Sequence, residues 1–305
     1  MGRFLVVRLL QGLLVAWGVS TLVFLLLRLS GDPTLLMVPP GAPADAVERL
    51  RHQLGFDQPL PVQYVSFLAG LLHGDVGASL TQSRPALQIV LERFPATLRL
   101  ASAALVLAVC VALPAGVASA VFRGSWLERF SLSLALLGQA VPPFWLGLML
   151  ILFLSVRLPL LPSSGADTWQ HLILPAVTLA SLSMAGITRM TRLAFLEELD
   201  REYVRTARAK GAPRGRIVVG HLLRNAAIPI LTLVSLDVAN LLGGAVVTET
   251  IFAWPGVGRL AIEAIQARDY PVVQAVVLVG TGAFILSSII ADLLYSVVDP
   301  RIRLT

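Results

Sequence analysis

Two aspartates stand in long runs that are otherwise free of charge. Asp237 is the thirteenth of 24 residues in Asn225–Thr248, and Asp292 follows the uncharged run Tyr270–Ala291. If these runs lie in hydrocarbon, an Asp near mid-depth costs about 2.5–3.5 kcal/mol, against about 0.3–0.6 gained for each Leu, Ile or Val. Such a carboxylate must face a bundle or a wet cavity. Two close carboxylates can share a proton and do protease chemistry, but the contexts Ser235-Leu236-Asp237 and Ile290-Ala291-Asp292 lack the Gly-x-Gly-Asp that marks intramembrane aspartyl proteases. A role along a path or at an interface, shared with Asn240 one turn on, is the expectation. Cys110 sits among Val and Ala and reads as a small buried residue.

Other chemistries find no residues to do them. A phosphate-binding loop needs Gly-x-x-x-x-Gly-Lys-Ser/Thr, and the one lysine, Lys210, is flanked by Ala209 and Gly211. If ATP drives this chain, another polypeptide binds it. His52, His73, His171 and His221 are scattered without the i, i+4 spacing of a metal pair, and no Gly-x-Ser-x-Gly elbow occurs.

The elements that must position these residues are membrane helices. Of 305 residues, 56% are apolar and 14% charged, against roughly 45–50% and about 25% in soluble domains. Mean hydropathy is +0.79. Disorder is excluded by the same figures, and a single cysteine allows no internal disulfide. Uncharged stretches near the 20 or so residues that span a bilayer are Leu9–Leu27, Leu100–Phe122, Phe130–Val156, Thr168–Thr188, Asn225–Thr248 (interrupted by Asp237) and Tyr270–Ala291. They predict an all-α, six-span protein. The first run exceeds the usual h-region of about 7–15 residues and no small-x-small site directly follows Leu29, so it reads as a retained helix rather than a cleaved signal.

With the N-terminus inside, segments 1–8, 123–129, 189–224 and 298–305 hold fifteen basic residues, and the short outer segments 157–167 and 249–269 hold three. By the positive-inside rule both termini are cytoplasmic. The net charge of +6 therefore reads as cytoplasmic loops rather than nucleic-acid binding. The chain divides into a first helix (1–27), an outer subdomain (28–99), and a five-helix core (100–305) with an inner loop at 189–224. Within the outer subdomain one short helix starts at Pro43, aligns Ala44, Val47, Leu50 and Leu54, and ends at Gly55; a second starts near Pro61 and stops before Gly74.

The inner loop predicts two helices separated by Gly211-Ala212-Pro213. In 201–211, Arg201, Arg205 and Arg208 share one face, with Tyr203, Thr206, Ala207 and Lys210 roughly opposite. A basic helix on anionic headgroups accounts for the arginines. The small residues Ala207 and Gly211 suit close approach by another backbone, as in docking to a partner protein.

Residues 202–229, with Glu202-Tyr203-Val204-Arg205-Thr206-Ala207-Arg208-Ala209-Lys210-Gly211, His221 through Ala226 and Pro229, resemble the ATPase-coupling loop of the peptide/nickel group of bacterial ABC import permeases. The likeness extends through Arg28-Leu29-Ser30-Gly31-Asp32-Pro33, Leu54 to Leu60, Gly74-Asp75-Val76-Gly77, Pro95-Ala96-Thr97-Leu98, Phe144-Trp145-Leu146-Gly147, His171 to Pro175, Phe252 to Gly258, Arg268 to Gln274 and Asp299-Pro300-Arg301-Ile302-Arg303. Against the general coupling pattern Glu-Ala-Ala-x-x-x-Gly with a later Ile-x-Leu-Pro, only Ala207, Gly211 and Leu223 match.

The resemblance implies the type I importer permease fold in a bacterial inner membrane. It implies ATP and Mg bound by two separate ATPase subunits, a second similar permease, and an extracytoplasmic binding protein. It places ATPase coupling on Tyr203, Arg205, Thr206, Ala207, Lys210 and Gly211, and binding-protein contact on Glu249, Trp254, Pro255 and Gly256. Peptides, glutathione and chelated nickel are all cargoes of such relatives. The competing class is a secondary transporter, which needs no ATPase; the inverted repeats common there are not detectable. Pro114, Pro142-Pro143, Pro175 and Pro229 are expected as hinges or fixed kinks.

Overall fold

The computed structural model describes residues 2–29, 31, 34, 43–53 and 55–298. Ser30, Asp32, Pro33, Leu54 and the 299–303 motif lie outside the described residues. In chain order the helices are α1 Gly2–Leu29, α2 Ala44–Gln53, α3 Leu60–Leu72, α4 Ala86–Val121, α5 Trp126–Ala140, α6 Pro143–Leu150, α7 Ile173–Leu199, α8 Glu202–Ala209, α9 Arg214–Ile217, α10 Leu223–Ile251, α11 Val257–Gln266 and α12 Tyr270–Val298.

Among the described residues five helical stretches are each long and apolar enough to cross a bilayer: Val6–Leu29, Ala86–Val121, Trp169–Leu199, Arg214–Ile251 and Tyr270–Leu293. The remaining expected span, Phe130–Val156, is not one helix. It is α5 followed by α6 with its π-helical continuation Ile151–Arg157, and the two are bent by 104°. Val141 and Pro142 hold extended backbone, ψ 123° and 135°. Proline disfavours the helical conformation in the residue before it, and Pro143 cannot donate to the preceding turn. Pro142-Pro143 is thus a fixed break, whereas Pro229 sits inside the continuous α10.

The real helices overrun the charge-free windows. At 1.5 Å per residue, the 36 residues of α4 reach about 54 Å, well beyond a hydrocarbon core of about 30 Å. Glu92, Arg93 and Arg99 therefore continue the helix rather than end it. The same holds for α7, which runs past Arg189 to Leu199.

The described residues form two compact units, those of 98–254 with 286–298 and those of 2–97 with 255–285. They cut across the segments 1–27, 28–99 and 100–305, and α4 and α12 contribute to both. In the first unit α7 is the centre, with α5, α6 and α10 packed on it. Small residues set the spacing. Buried Ala101, Ala104, Ala108, Ala112 and Ala120 recur on one face of α4. Gly116 continues that row so tightly that a Cβ would lie 2.7 Å from the Thr188 carbonyl oxygen of α7. Close backbone approach of this kind is how helices associate where lipid removes the hydrophobic drive. Cys110 falls off the row and is exposed, not buried as its neighbours in sequence suggested. On an apolar span a thiol is tolerated facing lipid.

Polar contacts in this unit join segments far apart in sequence. Ser125 caps α5 by accepting from the Glu128 amide, the Glu128 carboxylate accepts from Gly124 N at 2.6 Å, and Arg192 of α7 pairs with Glu128. Elsewhere Gly165 N donates to Phe252 O at 3.1 Å.

The second unit is built on Val76, Ile89, Val90, Leu260, Val272 and Val273. Asp269, 1% exposed, accepts from Ser79 Oγ (2.5 Å), Thr81 Oγ1 (2.9 Å) and Leu80 N (3.1 Å), pinning the 79–82 turn to the start of α12. Val257 N at the start of α11 donates to Thr97 Oγ1 at 2.8 Å. α2 and α3 form where the sequence predicts, each ended by a glycine at positive φ, Gly55 at 70° and Gly74 at 73°. The Arg28 guanidinium lies 4.5 Å from the ring centre of Phe56, 5.0 Å from Phe24 and 5.7 Å from Tyr270.

Candidate functional site

The inner loop is one short helix slung between two long ones. α7 ends at Leu199, Arg201 turns extended, and α8 runs to Ala209. Gly211 then takes φ 75°, a left-handed conformation that glycine adopts without strain. Its amide donates to Arg208 O at 2.9 Å and that of Ala212 to Ala207 O at 3.1 Å, closing the helix end. The second expected helix of this loop is not free-standing: α9 passes through the π-helical turn Val218–Leu222 into α10.

Val204, which the two-face projection left out, is the anchor: it is fully buried with Phe195, Ile217 and Leu222. Burying such a side chain stabilises by about 1.5–3 kcal/mol. It pulls Tyr203 and Ala207 half into the same core. The projection is therefore corrected. Tyr203 and Ala207 face this chain's own core, while Arg205, Thr206, Lys210 and Gly211 stay exposed. Nothing in the chain lies within 4 Å of a Cβ placed on Gly211, so backbone conformation, not internal crowding, requires glycine there.

Tyr203 does more than fill space. Its hydroxyl donates to Glu198 Oε2 at 2.5 Å, and Asn225 at the start of α10 also hydrogen-bonds it. Burial, then the Glu198 carboxylate, holds the phenol above its ordinary value of 10.0, so the hydroxyl keeps its proton at physiological pH. Glu198 and Arg201 pair more loosely at 3.9 Å. One side chain thus ties α8 to both long helices. The sequence reading included Tyr203 in the loop but had no signal for its partners.

α6, α7 and α10 line an open pocket of about 400 Å³, at whose mouth Phe144, Leu182, Asn240 and Val247 are exposed. Its walls are mostly apolar, with Phe144, Leu182 and Leu241 among them, and Ser183, Asp237 and Asn240 supply the polar atoms. Sequence reasoning named Asp237 and Asn240; Ser183, on a different helix, carried no local signal. Ser183 and Asn240 are the hydrogen-bonding neighbours of the Asp237 carboxylate, and Asp292 is not among the groups acting on it.

The Glu249–Gly256 segment is largely buried. Glu249 is 0% and Trp254 4% exposed, Gly256 is buried, and only Pro255 of the four expected contact residues is half-buried. The segment folds back on itself, with Ala253 at φ 48° and Trp254 N donating to Glu249 O at 2.8 Å. Glu249, Trp254 and Gly256 therefore shape this turn from inside. Aromatic and acidic residues beside Pro-Gly look like a surface loop in sequence; burial is a tertiary outcome. Among the described residues no three His, Cys, Asp or Glu side chains converge as metal ligands.

Residues 112–304 match the family described as binding-protein-dependent transport system inner membrane component, and residues 1–101 match its N-terminal membrane component. The glutathione transport system permease protein GsiC of Escherichia coli (strain K12) is 42% identical over 302 residues, covering 99% of each chain. The protein of the same name from Shigella dysenteriae serotype 1 (strain Sd197) matches to the same extent. Among solved structures, an inward-facing MetNI methionine ABC transporter (native crystal form) superposes with a TM-score of 0.56 at 20% identity. That match covers 70% of this chain and 97% of the other, a likeness of fold.

Proposed function

The chain belongs to the family of binding-protein-dependent transport system inner membrane components and is a permease subunit of an ABC importer; from that premise we propose that it forms half of a path for short peptides, glutathione among them. The full-length identity to the glutathione permeases supports this cargo class. ATP and Mg are bound by two ATPase subunits, a second homologous permease completes the path, and an extracytoplasmic binding protein delivers the solute.

The observation that carries the coupling role is the lashing of α8 through Val204 and Tyr203, which leaves Arg205, Thr206, Lys210 and Gly211 outward. A short helix held rigidly to two long ones passes a push from an ATPase to α7 and α10 together, where a floppy loop would absorb it. Rocking of the permease halves then exposes the path alternately to either side, a movement of μs–ms or slower. Both termini are cytoplasmic in this reading. The Arg192–Glu128 pair supports the orientation, since it joins the two arginine-bearing segments 123–129 and 189–224; so does the bond from Gly165 to Phe252, which joins two segments poor in arginine.

The test is reconstitution of the chain with a second permease, two ATPases and the binding protein in liposomes. ATP-dependent accumulation of glutathione or of di- and tripeptides is expected. Uphill accumulation by this chain alone without nucleotide, or an assembled complex that moves neither solute, would overturn the proposal.

A further inference from the structure

The cavity between α6, α7 and α10 holds a polar group that the permease role leaves unused. The Oδ2 oxygen of Asp237 is shielded from solvent and has no hydrogen-bond partner in the chain, while Ser183 and Asn240 act on the same carboxylate. Among the described residues no Arg, Lys or His lines the cavity. A shielded carboxylate oxygen in a mostly apolar pocket, with no donor and no countercharge, is costly. Whatever enters with both is stabilised there.

We propose that Asp237, Ser183 and Asn240 form a subsite within the membrane for a primary ammonium group carried by the transported solute. This rests on reading the chain as a permease for short peptides, whose free N-terminus bears such a group. An ammonium has three donors in a compact head. One can engage the orphaned Oδ2, leaving others for the Ser183 hydroxyl oxygen and the Asn240 amide oxygen. Phe144 in the wall is an aromatic side chain, a residue type that favours a nearby cation. At about 400 Å³ the cavity lies near the low end of small-molecule sites, which suits a peptide terminus rather than a whole peptide. A neutral hydroxyl would satisfy the oxygen but not its charge.

The same charge could be met from a second source, a basic side chain of the companion permease, and the experiment separates the two. In the fully assembled importer, Cys110 is replaced by Ala and Leu182, which is 48% exposed and lines the cavity, is replaced by Cys. The new thiol is modified with aminoethyl or with hydroxyethyl methanethiosulfonate, each rate being normalised to a free thiol in solution. The ammonium reagent is expected to react about 10-fold faster or more, the enrichment typical of a charged cleft. Asp237→Asn should bring the two rates within about twofold, and Asp237→Glu should keep the preference. Equal rates with Asp237 intact would mean that the carboxylate is already neutralised, as by a partner's side chain, and would overturn the subsite. A thiol that reacts with neither reagent would show that no solute reaches the cavity and would overturn it too. ATP-driven glutathione uptake by the wild-type complex is measured alongside: its loss removes the peptide reading, whereas its persistence with equal reagent rates removes only the subsite.

Discussion

Tyr203 donates its hydroxyl proton to the Glu198 carboxylate across 2.5 Å, joining the short exposed helix α8 to the end of the central span α7. A bond to a charged partner contributes about 1.5–3 kcal/mol, less where it is partly wet. Tyr203→Phe keeps the ring and removes the bond. ATP hydrolysis stimulated by loaded binding protein should fall about three- to tenfold, as expected for a loss near 1 kcal/mol, while membrane insertion stays intact. Glu198→Gln retains an acceptor and should be milder. Unchanged stimulation in Tyr203→Phe would detach this bond from coupling.

Gly211 separates bulk from backbone strain. Its φ of 75° penalises ordinary L-residues, and asparagine least among them. Its surroundings within the chain are open. Gly211→Asn should therefore fold and couple nearly as wild type, Gly211→Ala should lose about 1 kcal/mol of local stability, and Gly211→Trp should also collide with whatever docks there. Transport and stimulated ATP hydrolysis in the reconstituted complex give the ranking. A Trp variant as active as the Asn variant would show that nothing docks at Gly211.

Gly116 makes the opposite case, a glycine required by contact. A Cβ there would meet Thr191 Cβ at 2.6 Å and Thr188 O at 2.7 Å, so α4 and α7 must part. Gly116→Ala should destabilise by about 1–3 kcal/mol, and Gly116→Leu by more. Gly280→Ala is the control, because nothing lies within 4 Å of a Cβ at that site. Thermal unfolding in detergent reads the difference, and equal midpoints for Gly116→Ala and Gly280→Ala would refute the tight packing.

His52 and Asp57 supply a pH signature on the short-helix segment outside the spans. Their side chains meet at 2.5 Å. The hydrogen bond and charge of Asp57 raise His52 above its ordinary 6.5, and the bond to His52 holds Asp57 below its ordinary 3.8. The histidine's contribution to stability is complete below pH 6.5 and disappears as pH rises through its elevated folded value. That of Asp57 is present above pH 3.8 and disappears as pH falls through its lowered one. Carbon-13 NMR of labelled histidines, assigned by His52→Gln, should place the His52 midpoint above 6.5, and Asp57→Asn should bring it down. A midpoint at or below 6.5 would dissolve the pair.

Membrane class, five of the six expected spans, the two short helices Ala44–Gln53 and Leu60–Leu72 and the exposed basic helix were legible in the chain, because each is written in local sequence. About 20 apolar residues without charge admit one reading in a bilayer, and glycine or proline placed at element ends stops a helix wherever it occurs. Asp237 was legible for the same reason, since its cost in hydrocarbon depends only on its neighbours along the chain. Tertiary structure alone decided the rest. It turned Tyr203 and Ala207 inward around Val204, buried Glu249 and Trp254, left Cys110 exposed, and brought Ser183 beside Asp237 and Glu128 beside Arg192. In a chain that is apolar on every side of its helices, hydrophobicity no longer distinguishes the packed face from the lipid face. That choice falls to small residues such as Gly116 and to polar pairs, whose partners lie tens to hundreds of residues away.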